Sequence, residues 1–193
     1  MIITHQKGEC IKASVGNVTL VFNPISKKST LPAARFGADM ALVTLNHPDF
    51  NGVAEVTRAD KEPFTITGPG EYEVSGVFVK GFPSSSDYSK EVHINTMYAV
   101  RLEDINLLFL GATADAKPDP ALTEDIDSVD VLFVPIGNEG VLDPAAAHAL
   151  AVALEAKITI PIHYDGLGMK GALKTFLKEA GAEDTKPVEK LTI

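Results

Sequence analysis

Thr44-Leu45-Asn46-His47-Pro48-Asp49-Phe50 carries the chemistry of this chain, or what is left of it. The apolar run Met40 to Thr44 predicts a short buried strand, so the segment falls where a strand gives way to a turn. A hydrolytic centre with two metal ions needs about six His and Asp ligands around ions roughly 3.5–4 Å apart, with a bridging water made nucleophilic by the metal charge. A strand that ends in a His-x-His-x-Asp-His turn is a cheap way to begin such a set. Its first two His face one ion, and its Asp and last His face the other. On that pattern the ligand positions here are Leu45, His47, Asp49 and Phe50. Two can coordinate, and the other two are apolar.

Outward from this turn the first half reads as β-rich. Cys10 to Val15 and Val18 to Phe22 are strand-like runs around Gly16-Asn17, a two-residue hairpin loop. Phe64 to Thr67, Glu71 to Ser75 and Val77 to Lys80 continue the pattern between Gly68-Pro69-Gly70 and Gly76, and Met97 to Leu102 with Ile105 to Leu110 predict another hairpin. The second half alternates strand and helix. Val131 to Pro135 reads as a buried strand, and Asp143-Pro144 as an N-cap with proline in the first turn of a helix reaching Leu154. Lys157 to Pro161 predicts a strand, Met169 to Ala180 an amphipathic helix ended by Gly181, and Pro187 to Ile193 a last strand. Pro83 to Glu91 and Ala114 to Glu124 read as solvated polar loops.

The 193 residues suffice for one sizeable core, and a single domain over 1–193 is the expectation. No apolar stretch reaches the roughly 18 residues that span a bilayer, and the start Met1-Ile2-Ile3-Thr4 has no secretory pattern, so a cytoplasmic location without membrane attachment is expected. The lone Cys10 excludes an internal disulfide and reads as a half-buried strand residue. With 26 acidic against 17 basic residues the formal net charge is −9, a field that disfavours nucleic acid as a partner.

Several strings together resemble the metallo-β-lactamase superfamily, in its small single-domain branch of zinc-dependent hydrolases. They are Ile3-Thr4 to Gly8 followed by a hairpin and Phe22-Asn23-Pro24; Gly37-Ala38-Asp39 leading to Val43-Thr44; Leu110-Gly111; and Ile160-Pro161-Ile162-His163-Tyr164. The resemblance covers nearly the whole chain and implies an α/β fold of four layers, an αββα sandwich of two mixed sheets. It also implies a set of losses. The family's Asp before proline is Asn23, no His stands in Phe82 to Asp87, and the bridging Asp after Leu110-Gly111 is Ala112. A bridging carboxylate keeps two dications close, so Ala112 is the most damaging loss. From the family's ligand set His47, Asp49 and His163 remain as residual metal positions, and no cofactor is expected beyond one Zn at most.

Two functional readings follow. One is a member of the fold that has lost dinuclear hydrolysis and binds a small molecule or protein. The other is a divergent hydrolase with one metal, or with water activated without metal by Asp49 as base beside His47 and His163. A homo-oligomer using the apolar replacements Leu45, Phe50 and Ala112 as an interface is a third. Glu71 and Tyr72, after Gly68-Pro69-Gly70, are candidate substrate-binding residues on a turn. His5, His93 and His148 have no partner at ligand spacing, His93 reading as part of a polar loop.

Overall fold

A computed structural model describes residues 1–117 and 119–193. They fall into two compact units, Met1–Thr67 with Lys186–Ile193, and Gly68–Thr185.

The first unit is built on a six-stranded mixed sheet. Its strands are β1 (Ile2–Lys7), β2 (Cys10–Val15), β3 (Val18–Phe22), β4 (Met40–Leu42), β5 (Phe64–Ile66) and, after the second unit, β12 (Leu191–Thr192). The order is β12-β1-β2-β3-β4-β5, antiparallel through β3 and parallel from there. The Gly16-Asn17 hairpin forms as predicted, with Val15 paired to Val18. Cys10, Val21, Ile25, Ala34, Ala38, Ala41 and Val56 pack into a core cluster, which Leu31, Phe36 and Val53 extend. Cys10 is fully buried rather than half-buried, because its strand face lies under this cluster.

The second unit carries the other mixed sheet: β6 (Gly70–Val74), β7 (Val77–Ser86), β8 (His93–Leu102), β9 (Ile105–Phe109), β10 (Val131–Pro135) and β11 (Ile158–Ile162). The order is β11-β10-β9-β8-β7-β6, parallel among β9, β10 and β11 and antiparallel from β9 to β6. Among its described residues are three α-helices, α1 (Pro120–Asp125), α2 (Pro144–Ala153) and α3 (Ala172–Glu179). Asp143 caps α2 as predicted, accepting from the N–H groups of Ala145 and Ala146, each at 2.9 Å. Leu150, Ala151 and Phe176 from the helices pack with Leu108, Leu132, Val134 and Ile136 from the sheet. The helices leave this same face of the sheet uncovered toward β6 and the adjoining parts of β7 and β8, where Phe78 is 47% exposed.

Four expectations change. Pro83 to Glu91 is not a loop up to Ser86: β7 runs ten residues to that point, and β8 begins at His93 rather than after it. Ladder bonds are made by backbone, so the serines are tolerated there, and Asn95 donates across the pair to Ser84 Oγ at 2.7 Å. Ala114 to Glu124 contains the start of α1, capped by Asp119 and pinned by buried Leu122. The helix expected from Met169 starts at Ala172, because Gly171 takes a left-handed φ of +84°. Glu71 and Tyr72 sit within the strand predicted from Glu71, which starts one residue earlier at Gly70, and not on the turn before it.

Candidate functional site

The turn after β4 is held from several sides. Val43 donates its N–H to Ile66 O at 2.9 Å, and the N–H groups of Phe50 and Asn51 both reach His47 O, at 2.8 and 3.0 Å. Gly52 closes the turn against the strand-end segment: a Cβ there would meet the Ile25 carbonyl carbon and Ser26 N at 2.4 Å. Only glycine fits. Within this frame His47 Nδ1 lies 3.2 Å from Asp49 Oδ2 and 3.3 Å from the Asp49 N–H, so the imidazole and carboxylate of the turn face each other. Ser29 donates its hydroxyl to the other oxygen, Asp49 Oδ1.

Leu45 and Phe50, on the two apolar ligand positions, are 3% and 0% exposed. Phe50 lies 5.9 Å from the His47 ring, tilted to it. Asn23 adopts φ +45°, a left-handed conformation that Asn tolerates better than most residues. Its amide spans a buried polar network. Nδ2 donates to Glu9 Oε2 at 2.6 Å and to Thr44 Oγ1 at 2.9 Å, while Oδ1 accepts from the Thr44 N–H at 2.9 Å. Asn23 thus ties the end of β3 to the start of the motif, using both faces of an amide that a carboxylate cannot reproduce.

In the second unit the relevant pieces are the ends of β9, β10 and β11. Ala112 is fully buried, and its N–H is taken by Asn95 Oδ1 at 3.0 Å. The Asn95 amide also donates to Leu110 O at 2.9 Å, so one side chain fixes residues 110 to 112. The next carboxylate along the chain, Asp115, is engaged by the N–H and hydroxyl of Ser85 at 2.8 and 2.7 Å.

His163 follows β11 directly, fully buried and with φ +60°. Tyr88 meets its ring edge-on at 5.2 Å between centroids. Gly137 makes room for it, since a Cβ at residue 137 would lie 2.5 Å from both His163 Cδ2 and His163 O. An imidazole held in strained backbone and enclosed this closely marks a position built for a particular side chain.

The other candidates fall elsewhere. His5 Nε2 stands 3.1 Å from Gly8 O, and His148 packs edge-on to Phe176 at 6.4 Å. His93 Nε2 lies 3.9 Å from Glu91. Cys10 is inert by environment, because burial pushes its thiol up to about 12. Glu71 pairs with Lys80 at 2.9 Å and Tyr72 donates its hydroxyl to the Gly68 and Pro69 carbonyls; both line a groove of about 710 Å³ on the uncovered part of the second sheet. Sequence reasoning missed Asn95 and Asp115, whose roles depend on strand pairings distant in sequence. It also missed Ser29, which carries no motif signal at all.

The residues present do not fit a two-metal centre. His47 and Asp49 are neighbours on one turn, positions 45, 50 and 112 are closed by buried apolar side chains, and among the described residues no three His, Cys, Asp or Glu gather into a group that could hold a metal ion.

Solved structures place the fold in a class. Over its full length this chain superposes on a Thermotoga maritima protein of the metallo-β-lactamase superfamily, covering 91% of it with a TM-score of 0.74 at 24% identity. It also superposes over its full length on Igni18, a metallo hydrolase of Ignicoccus hospitalis, covering 98% of that chain with a TM-score of 0.67 at 14% identity. The family model described as the beta-lactamase superfamily domain matches residues 3–163, and the chain belongs to that family. Among its relatives, a UPF0173 metal-dependent hydrolase of Listeria welshimeri is 24% identical over 86% of each chain. Another, from Staphylococcus carnosus, is 30% identical over 67% of this chain and 63% of its own.

Proposed function

We propose that this chain keeps the fold of a metal-dependent hydrolase family without its dinuclear hydrolytic centre, and serves as a binding or interaction module. The observation that carries the reading is the burial of Leu45, Phe50 and Ala112, all at most 3% exposed, on positions that the family resemblance gives to ligands. A site awaiting metal would present open donor atoms there. Asn23 supports the same reading, because its amide is committed to Glu9 and Thr44 rather than to orienting a ligand His. The family match over 3–163 takes in parts of both compact units, which favours one functional domain over two.

A second reading has one observation in its favour. The His47–Asp49 contact at 3.2 Å is the kind of imidazole–carboxylate pair that activates water, and relatives bear the name metal-dependent hydrolase. Against it, Asp49 Oδ1 already accepts the Ser29 hydroxyl, so that oxygen is committed to a contact within the fold. The two readings separate in a hydrolysis assay. Bis(p-nitrophenyl) phosphate, p-nitrophenyl acetate and a lactone are offered to tag-free protein with Zn²⁺, Mn²⁺ or Fe²⁺, beside His47→Ala and His163→Ala. The binding-module reading expects no turnover above the two variants. Turnover that both variants abolish would establish the hydrolase instead.

A further inference from the structure

The uncovered part of the helix-side face of the second unit's sheet forms the 710 Å³ groove, and its contents are not those of a neutral surface. Strand register gives the floor in rows. Glu73, Phe78, Arg101 and Asn106 lie side by side across β6 to β9, and Glu71, Lys80, Ala99 and Leu108 form the next row. Asp125 and Asp127, at the end of α1 and just after it, stand along one wall, and Asp104 is on the β8–β9 turn.

The groove already shows how it holds cations. Lys80 sits between Glu71 at 2.9 Å and Asp125 at 2.5 Å, and Arg101 lies over the Phe78 ring at 5.8 Å. Three carboxylates are left over. Glu73, Asp104 and Asp127 are exposed and have no ion-pair or hydrogen-bond partner among the described residues. With five carboxylates against two cations, the lining carries a local charge of −3 around a half-exposed aromatic ring.

We propose that this groove is a docking site for an extended basic segment of a partner protein, with its Arg or Lys side chains on Glu73, Asp104 and Asp127 and an apolar residue between them on Phe78. A second copy of this chain is a poor occupant, because it brings its own net −9. Spacing also matches an extended segment. Glu73 on β6 and the β8–β9 turn lie at the same end of the sheet, about two and a half strands or roughly 12 Å apart, which is the span of about four extended residues. The site needs neither metal nor His47, so it stands or falls apart from the reading above.

The test uses the full chain and a fluorescein-labelled peptide, Gly-Arg-Ala-Leu-Ala-Arg-Gly, read by fluorescence anisotropy at physiological salt. The acidic analogue with Glu in place of Arg is the control. Saturable binding of the basic peptide alone is expected. The combined variant Glu73→Gln, Asp104→Asn, Asp127→Asn should weaken it about tenfold, as three exposed charge contacts would. Phe78→Ser should weaken it further. A distal variant, Glu183→Gln, Asp184→Asn, Glu189→Gln, removes the same charge from exposed positions outside the groove and should leave binding unchanged. The proposal is overturned if the basic peptide does not bind, if the groove variant binds like the original protein, or if the distal variant weakens binding equally. All seven changed residues are exposed, and a circular dichroism spectrum matching the original confirms that each variant is folded.

Discussion

Replacing Asn23 by Asp puts back the carboxylate that the family resemblance places before the proline, at a position whose surroundings now suit an amide. In the present structure Asn23 Nδ2 donates to Glu9 Oε2 at 2.6 Å, and both residues are fully buried. With Asp, an oxygen faces an oxygen at that distance. Two full charges so placed would repel by about 6 kcal/mol at an effective dielectric near 20. The pair relieves part of this by keeping one proton. Holding it to pH 7, roughly two to three pH units above ordinary carboxyl titration, costs about 3–4 kcal/mol. In urea, with a slope near 2 kcal/mol per molar, that corresponds to a midpoint lower by about 1.5–2 M. The folded variant binds a proton that the unfolded chain has released, so the penalty should shrink as pH falls toward about 4. Far-UV circular dichroism is the appropriate signal, since the chain has no Trp and all four Tyr lie in the second unit. A variant within about 0.5 kcal/mol of the original at pH 7, or a loss that does not change with pH, would refute the structural role assigned to Asn23.

Other outcomes are equally specific. Gly137→Ala should lower thermal stability strongly, by about 2–4 kcal/mol, because its Cβ would overlap the His163 carbonyl oxygen, which cannot swing away. Gly68→Ala, with nothing within 4 Å of the added carbon, should be near neutral in the same melting experiment. Cys10, fully buried and with its thiol pushed up to about 12, should react with Ellman's reagent only after unfolding in guanidinium. The Asn106 N–H first, and Lys157 second, hold the Asp130 carboxyl below its usual range. Its stabilisation is therefore present above ordinary carboxylate titration and lost as pH falls through the folded value, and Asp130→Asn should remove that acid-side component, below about 1 kcal/mol, in urea melts across pH.

The fold was largely legible because its signals are local. The Gly16-Asn17 hairpin, the Asp143-Pro144 cap and the apolar run Val131 to Pro135 each announce themselves within a few residues, and each forms where expected. The serine-rich end of β7 was misread because side-chain polarity says little about a backbone ladder whose partner, His93 to Asn95, lies seven to eleven residues on. The short helix at Pro120 was hidden by its flanking acidic and proline residues, and is fixed by one buried side chain, Leu122.

At the site, the sequence could point to Leu45, Phe50 and Ala112 as departures from a ligand pattern, but not to the contacts that hold these positions. The Asn23–Glu9–Thr44 network and the Asn95 clamp on Ala112 each join residues separated by 14 to 21 positions, through geometry that no motif encodes. Ser29 on Asp49 belongs to the same kind. The pairing of His47 with Asp49 was readable, since both lie on one turn.

Elemental analysis of the purified, tag-free protein tests the central claim most directly. After incubation with excess Zn²⁺, Mn²⁺ and Fe²⁺ and removal of free ion, metal per chain is compared with that of His47→Ala and His163→Ala. Loss of the ligand set predicts well under one ion per chain, with no difference between the original protein and either variant. One or two ions per chain that both substitutions remove would contradict it.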